Sequence, residues 1–154
     1  MEIAEILTAE GVLPSLAAAN KRQALEEIAK AASPIAGIPD RAIFDVVLER
    51  ERLGTTGVGN GIAIPHGKLA GLGRLYAFFA RMETPIGFDA IDDRPVDLIF
   101  LLLAPSDAGA DHLKALARVS RLLRDAELCD QLRGAKDARA LYKLLVNGKT
   151  SRAA

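Results

Sequence analysis

Apolar residues in this chain recur at two different spacings, and the alternation between them divides it into helices and strands. Leu25, Ile28, Ala29 and Ala32 repeat every three or four residues, the period of one helical face. Asn20 is placed to cap this helix with Gln23 at the capping-box position, and Ser33-Pro34 to stop it. Ile43, Phe44, Val47 and Leu48 line a second helix, capped by Asp40 and ended by Gly54. Short strands are expected at 12–16, 55–58 and 62–64, and a longer one at 75–82. Residues 96–104 are almost continuously apolar, as a strand buried on both faces must be. Leu113, Leu116, Ala117, Ser120 and Leu123 mark a further helix, and Leu141, Leu144 and Leu145 a terminal one after Gly134. From Asn147 onward the chain is expected to fray. The fold class that follows is α/β: a single-domain sandwich over residues 1–147, with a central mixed β-sheet flanked by helices on both sides and a disordered tail at 148–154.

Composition narrows the partners more than the fold. The 154 residues, half of them apolar, suffice for one core. Twenty Lys and Arg balance twenty Asp and Glu, so no single-sign field recommends nucleic acid or an anionic membrane, and neither is expected as a partner. The single cysteine, Cys129, excludes an internal disulfide and reads as a small packed hydrophobe rather than a redox thiol. With no leader pattern and no apolar run long enough to span a bilayer, a cytoplasmic location without membrane insertion is expected.

Chemistry concentrates around two histidines. His66 follows the apolar segment Ile62-Ala63-Ile64 and Pro65, which fixes its own φ and biases Ile64 toward extended geometry; Gly67 behind it permits close approach of another backbone. A neutral imidazole held by one nitrogen can attack through the other, although turn residues alone also account for this punctuation. His112 falls in the first turn of its helix. There it is either a solvated residue after the cap Asp111 or a group beside an anion drawn to the helix N-terminus. Arg50 stands in the last turn of the second helix, where the helix dipole favours a cation with or without a ligand; Arg52 is the competing candidate, and Lys68 a rim residue. Other chemistries fit poorly. The Gly57–Gly61 stretch opens no helix and lacks a Gly-Lys-Ser/Thr ending, two histidines are too few for zinc, and no serine sits in a nucleophile elbow.

Residues 49–68, ERERLGTTGVGNGIAIPHGK, closely resemble the active-site signature of phosphotransferase-system enzyme IIA proteins of the fructose/mannitol type. Residues 111–123, DHLKALARVSRLL, are similar to that family's second histidine and following helix, and residues 84–93 and 95–98 also resemble it. The likeness extends over roughly 2–145, and its first block is most similar to the nitrogen-regulatory branch.

This resemblance implies a function. His66 would accept a phosphoryl group on Nε2 from an upstream histidine phosphocarrier, with Nδ1–H held by a backbone carbonyl. His112 and Arg50 would stabilise the phosphoryl oxygens, and no cofactor or metal would be needed. Downstream, regulatory or ion-transport target proteins would distinguish the phosphorylated from the unphosphorylated state; the alternative is a metabolic relay to a sugar-specific IIB domain. A single domain ending without fused IIB or IIC segments favours the regulatory role.

Overall fold

The computed structural model describes the backbone of residues 1–153 and the side chains of residues 1–147. The tail expected at 148–154 falls on residues whose side chains, and in Ala154 the backbone also, lie outside the described residues. After a 3-10 turn at Ile3–Glu5 come β1 (Leu7–Leu16), α1 (Lys21–Ala36), α2 (Asp40–Leu53), β2 (Gly57–Gly59), β3 (Ile62–Ala63) and β4 (His66–Leu69). They are followed by β5 (Tyr76–Ile86), β6 (Val96–Pro105), α3 (Ala110–Leu123), α4 (Ala126–Gly134) and α5 (Ala138–Ala153), whose Asn147 has non-helical backbone angles.

The strands make one mixed sheet in the order β1-β5-β6-β3-β2, with β4 also on β6. β1 runs parallel to β5, β5 antiparallel to β6, β3 and β4 parallel to β6, and β2 antiparallel to β3. The apolar run is the central strand, as expected: Leu98 to Ala104 have no exposed surface. Its side chains alternate between two cores. Ile99, Leu101 and Leu103 pack with Leu25, Ile28, Ile43 and Val47 of α1 and α2, while Leu98, Phe100 and Leu102 pack with Val119, Leu132 and Leu141 of α3, α4 and α5. Each such side chain contributes about 1.5–3 kcal/mol by leaving water. The result is the predicted α/β sandwich with helices on both faces.

Several local expectations change. Asn20 caps α1 through its side chain, accepting from the Gln23 N–H at 2.9 Å, but the Gln23 carboxamide reaches back to the Ala19 N–H instead of Asn20's. α1 does not stop at Ser33-Pro34. It runs through Pro34 and ends in left-handed Gly37, while the Ser33 hydroxyl donates to the Ile38 carbonyl at 2.6 Å and ties down the exit. Asp40 is the first helical residue of α2 rather than its cap, a position where a carboxylate still meets the positive dipole end. Cys129, in a stretch read as helical, lies on α4, whose buried residues are Leu128, Cys129 and Leu132. Cys129 is buried, its thiol donating to the Leu123 carbonyl, and burial raises its pKa.

The segment around His66 also departs from expectation. The strand does not finish before His66. Ile62 lies opposite Leu98 and His66 opposite Leu102, so β3 and β4 follow one register along β6, interrupted only at Ile64 and Pro65. Pro65 has no N–H to give, yet its carbonyl accepts from the Leu102 N–H at 3.0 Å, and the ladder resumes at once. Strand alternation then turns Gly67 toward α2 and His66 toward the opposite face.

Gly67 is where α2 comes closest, and what approaches is the Val46 side chain rather than a backbone: a Cβ on Gly67 would overlap Val46 Cγ1. Valine is stiff at χ1 and cannot swing away. Gly67→Ala should therefore destabilise the protein by about 1–3 kcal/mol in a urea titration. Adding Val46→Ala should recover part of the loss; a Gly67→Ala midpoint equal to wild type would contradict this packing.

Candidate functional site

Three elements converge on His66: β4 carries it, α3 faces it and the C-terminal turn of α2 reaches it from the sheet edge. Its Nδ1 lies 2.9 Å from the Ile64 carbonyl oxygen. That oxygen can only accept, so Nδ1 bears the proton and the lone pair is left on Nε2, which makes no hydrogen bond among the described residues. The His112 ring stands edge-on to it, centroids 5.6 Å apart and planes at 69°. His112 is the third residue of α3 and buried, and its Nδ1 is a buried polar atom with no hydrogen-bond partner. The helix cap is Gly109, with left-handed φ of 50°, rather than Asp111. His112 is consequently not the solvated first-turn residue that one reading of the sequence allowed.

Arg50 donates from Nη1 to the Gly54 carbonyl at 2.8 Å, closing the end of α2, and its positive charge is felt at His66. Arg52 instead stands in solvent, 3.7 Å from Glu49. Lys68 is exposed, two residues along β4 on the His66 face, and its charge acts on His112.

The sequence reading passed over Glu51, Thr56 and Lys21. The buried polar or charged side chains among the described residues are Glu51, Thr56 and His112, all at this site. Glu51 accepts from the Thr56 N–H at 3.0 Å and from the Thr56 hydroxyl, and pairs with Lys21 Nζ at 2.9 Å. Lys21 also lies 4.7 Å from the centroid of the Phe88 ring. A signal was available. Glu51 continues the Ile43, Val47 spacing of four, so a carboxylate occupies a position on the buried stripe of α2.

Burial lowers the pKa of both histidines from 6.5. For His66 the Ile64 hydrogen bond and the Glu51 carboxylate oppose that shift while Arg50 adds to it; for His112 the charges of His66 and Lys68 add to it. Neutral imidazoles at pH 7 follow. Among the described residues no cluster of three or more His, Cys, Asp or Glu could hold a metal ion, and no helix is long and apolar enough to cross a membrane.

An imidazole with a free Nε2, a second imidazole and a guanidinium thus meet at the edge of a mixed α/β sheet. Residues 5–148 match the family described as phosphoenolpyruvate-dependent sugar phosphotransferase system, EIIA 2, and the chain belongs to that family. It is 52% identical over 145 residues to a nitrogen regulatory protein of Bradyrhizobium diazoefficiens, covering 94% of this chain and 95% of that one. It is 40% identical over 148 residues to the nitrogen regulatory protein of Escherichia coli K12, covering 96% and 91%. The crystal structure of nitrogen regulatory protein IIA-Ntr from Neisseria meningitidis superposes with a TM-score of 0.88 at 32% identity, over 93% of this chain and 98% of that one. The chain is a phosphotransferase component of nitrogen-regulatory type.

The two depressed histidine pKa values make stability depend on pH. Below 6.5 the unfolded chain takes up protons that the folded chain resists, so the unfolding free energy should fall as the pH drops through 6.5 toward the lower folded values, and level off above. A His66→Gln, His112→Gln double variant should show a flatter profile in chemical denaturation between pH 5 and about 7.5. An equally steep profile would place the proton uptake elsewhere.

Proposed function

We propose that His66 is the phosphoryl acceptor, taking the group from a histidine phosphocarrier in the cytoplasm, and that its phosphorylation state governs association with regulatory or ion-transport target proteins. The observation that carries this reading is the Ile64 carbonyl on His66 Nδ1, which leaves the nucleophilic lone pair on Nε2. That lone pair attacks phosphorus while the P–N bond of the donor phosphohistidine breaks, the bonding electrons returning to the donor ring nitrogen; Nδ1 keeps its proton. In such a loose transition state, alignment and charge stabilisation dominate. Arg50 and His112 supply donors for the equatorial oxygens, and the unpartnered Nδ1 of a buried His112 is a group that gains a partner by rotation or protonation when phosphate arrives.

Exposed apolar side chains offer a docking face. Leu53 at the end of α2, Leu113 beside His112, and Val58 and Ile91, joined through the Ile91 N–H to Gly57 carbonyl bond, are exposed large apolar residues. They form a rim on which the donor phosphocarrier and a target protein would compete. A phosphoryl group of up to two negative charges changes that rim from apolar and near neutral to anionic.

Incubation with general phosphotransferase enzyme and phosphocarrier should place one acid-labile phosphate on the protein, and His66→Ala should abolish it; full labelling of that variant would reject the assignment. Arg50→Ala and His112→Ala should still be labelled, but with a transition-state loss of roughly 2–4 kcal/mol in rapid-quench kinetics. Wild-type rates in both would remove their assigned roles.

Binding to a target should differ between phosphorylated wild type and unphosphorylatable His66→Ala by about 1–3 kcal/mol under phosphorylating conditions, read by calorimetry. Equal affinities, together with efficient passage of phosphate to a sugar-specific IIB domain, would favour a metabolic relay.

A further inference from the structure

A run of contacts links the buried carboxylate to the imidazole. Lys21 Nζ lies 2.9 Å from Glu51; Glu51 accepts both the N–H and the hydroxyl of Thr56; the Thr56 carbonyl accepts the Ile64 N–H at 3.0 Å; and the Ile64 carbonyl accepts from His66 Nδ1 at 2.9 Å. Every residue on it is buried or half-buried, and none of those before His66 touches the phosphoryl group in the mechanism above. Ile64 precedes a proline, and its own N–H bonds to Thr56, so the direction of the carbonyl that orients His66 is set jointly by Pro65 and by where Thr56 is held.

We propose that Glu51 is a positioning residue for phosphoryl transfer, acting through Thr56 and Ile64 to hold the His66 imidazole in its Nδ1–H tautomer and orientation, with Lys21 as the counter-ion of the carboxylate. The proposal rests on His66 being the acceptor. Removing a carboxylate from a packed apolar position would be the simpler design for stability alone, since a buried ion pair seldom outperforms a hydrophobic replacement. Here the carboxylate accepts two bonds from the one residue whose carbonyl anchors the Ile64 turn. The same carboxylate faces the imidazole electrostatically. The charges acting on His66 are those of Arg50 and Glu51 from α2; the His112 ring of α3 stands against it, Lys68 on β4 acts on His112, and Lys21 of α1 pairs with Glu51. Of these, Glu51 is the anion that offsets Arg50, preserving the basicity of the attacking nitrogen.

The test uses full-length wild type, Glu51→Gln and Lys21→Met. Both variants break the same buried pair, so a merely structural role would move them alike. Nitrogen-edited NMR of the imidazoles reads the tautomer and titration midpoint of His66 without any phosphoryl donor, and single-turnover transfer from the phosphocarrier reads the rate. For Glu51→Gln, the His66 midpoint should move down, the Nδ1–H tautomer should lose population, and the maximal rate should fall by up to about a hundredfold with an unchanged KM for phosphocarrier. For Lys21→Met, which keeps the carboxylate and removes its counter-charge, the midpoint should move up. Shifts in the same direction, or a wild-type midpoint and rate in Glu51→Gln, would overturn the proposal. If Glu51→Gln does not fold, the Lys21→Met midpoint decides alone: an unshifted or lowered value overturns it. Failure of wild type to accept phosphate would instead remove the acceptor reading, while the tautomer and midpoint shifts would still report whether Glu51 sets the state of His66.

Discussion

The register of residues 62–69 along β6 is the constraint on which the site depends. β6 is buried on both faces, so its position is set by two cores at once, and a one-residue slip of its neighbour would exchange every side chain between them. With Ile62 opposite Leu98 and His66 opposite Leu102, Gly67 and Leu69 must face α2, and His66 must face α3. Pro65 allows this without ending the strand. It withholds one donor, keeps its acceptor in the ladder, and frees the Ile64 carbonyl to bond the imidazole instead of a neighbouring strand.

Polar burial is otherwise sparse, and its concentration at one edge of the sheet has a thermodynamic consequence. An unpartnered ring nitrogen in the interior works against folding, as does the burial of a carboxylate, which Lys21 and Thr56 partner. The cores on either side of β6 supply the stability that offsets them. The distal end of the same sheet is held by an independent clamp, in which the Arg133 guanidinium takes Asp97 in two bonds of 2.7 and 3.0 Å and the Asn60 carbonyl at 2.8 Å. Gly61, with φ of 81°, leaves the room that clamp needs. It fixes the β2–β3 hairpin against α4 and so fixes the start of the segment that leads to His66.

For a chain of zero formal net charge, a phosphoryl group is a large local change on a small background. Leu53, Val58, Ile91 and Leu113 expose large apolar side chains on the same small domain. A partner that desolvates these side chains must accept or reject the added charge.

Period and punctuation in the sequence were enough to show the alternation of helices and strands, the doubly buried central strand and the placing of helices on both faces, because those depend on local spacing of apolar residues. The motif around His66 and the block around His112 pointed by resemblance to the same pair of imidazoles that the fold brings to 5.6 Å. What local spacing does not carry is which long-range partner a polar group meets. Pro65 reads as a strand end, yet β6 supplies a donor to its carbonyl and the strand continues; Pro34 reads as a helix stop, yet Ser33 and Gly37 close the helix later. Asp111 and Asp40 have cap chemistry, but Gly109 and Pro39 take the cap positions. Glu51 stands in the run Glu49-Arg50-Glu51-Arg52, where nothing in the run itself distinguishes one carboxylate from the other. Only the tertiary structure, by setting Thr56 and Lys21 around it, made it a buried carboxylate behind His66, since burial of a polar group is decided by the donors that surround it and not by its neighbours in the chain.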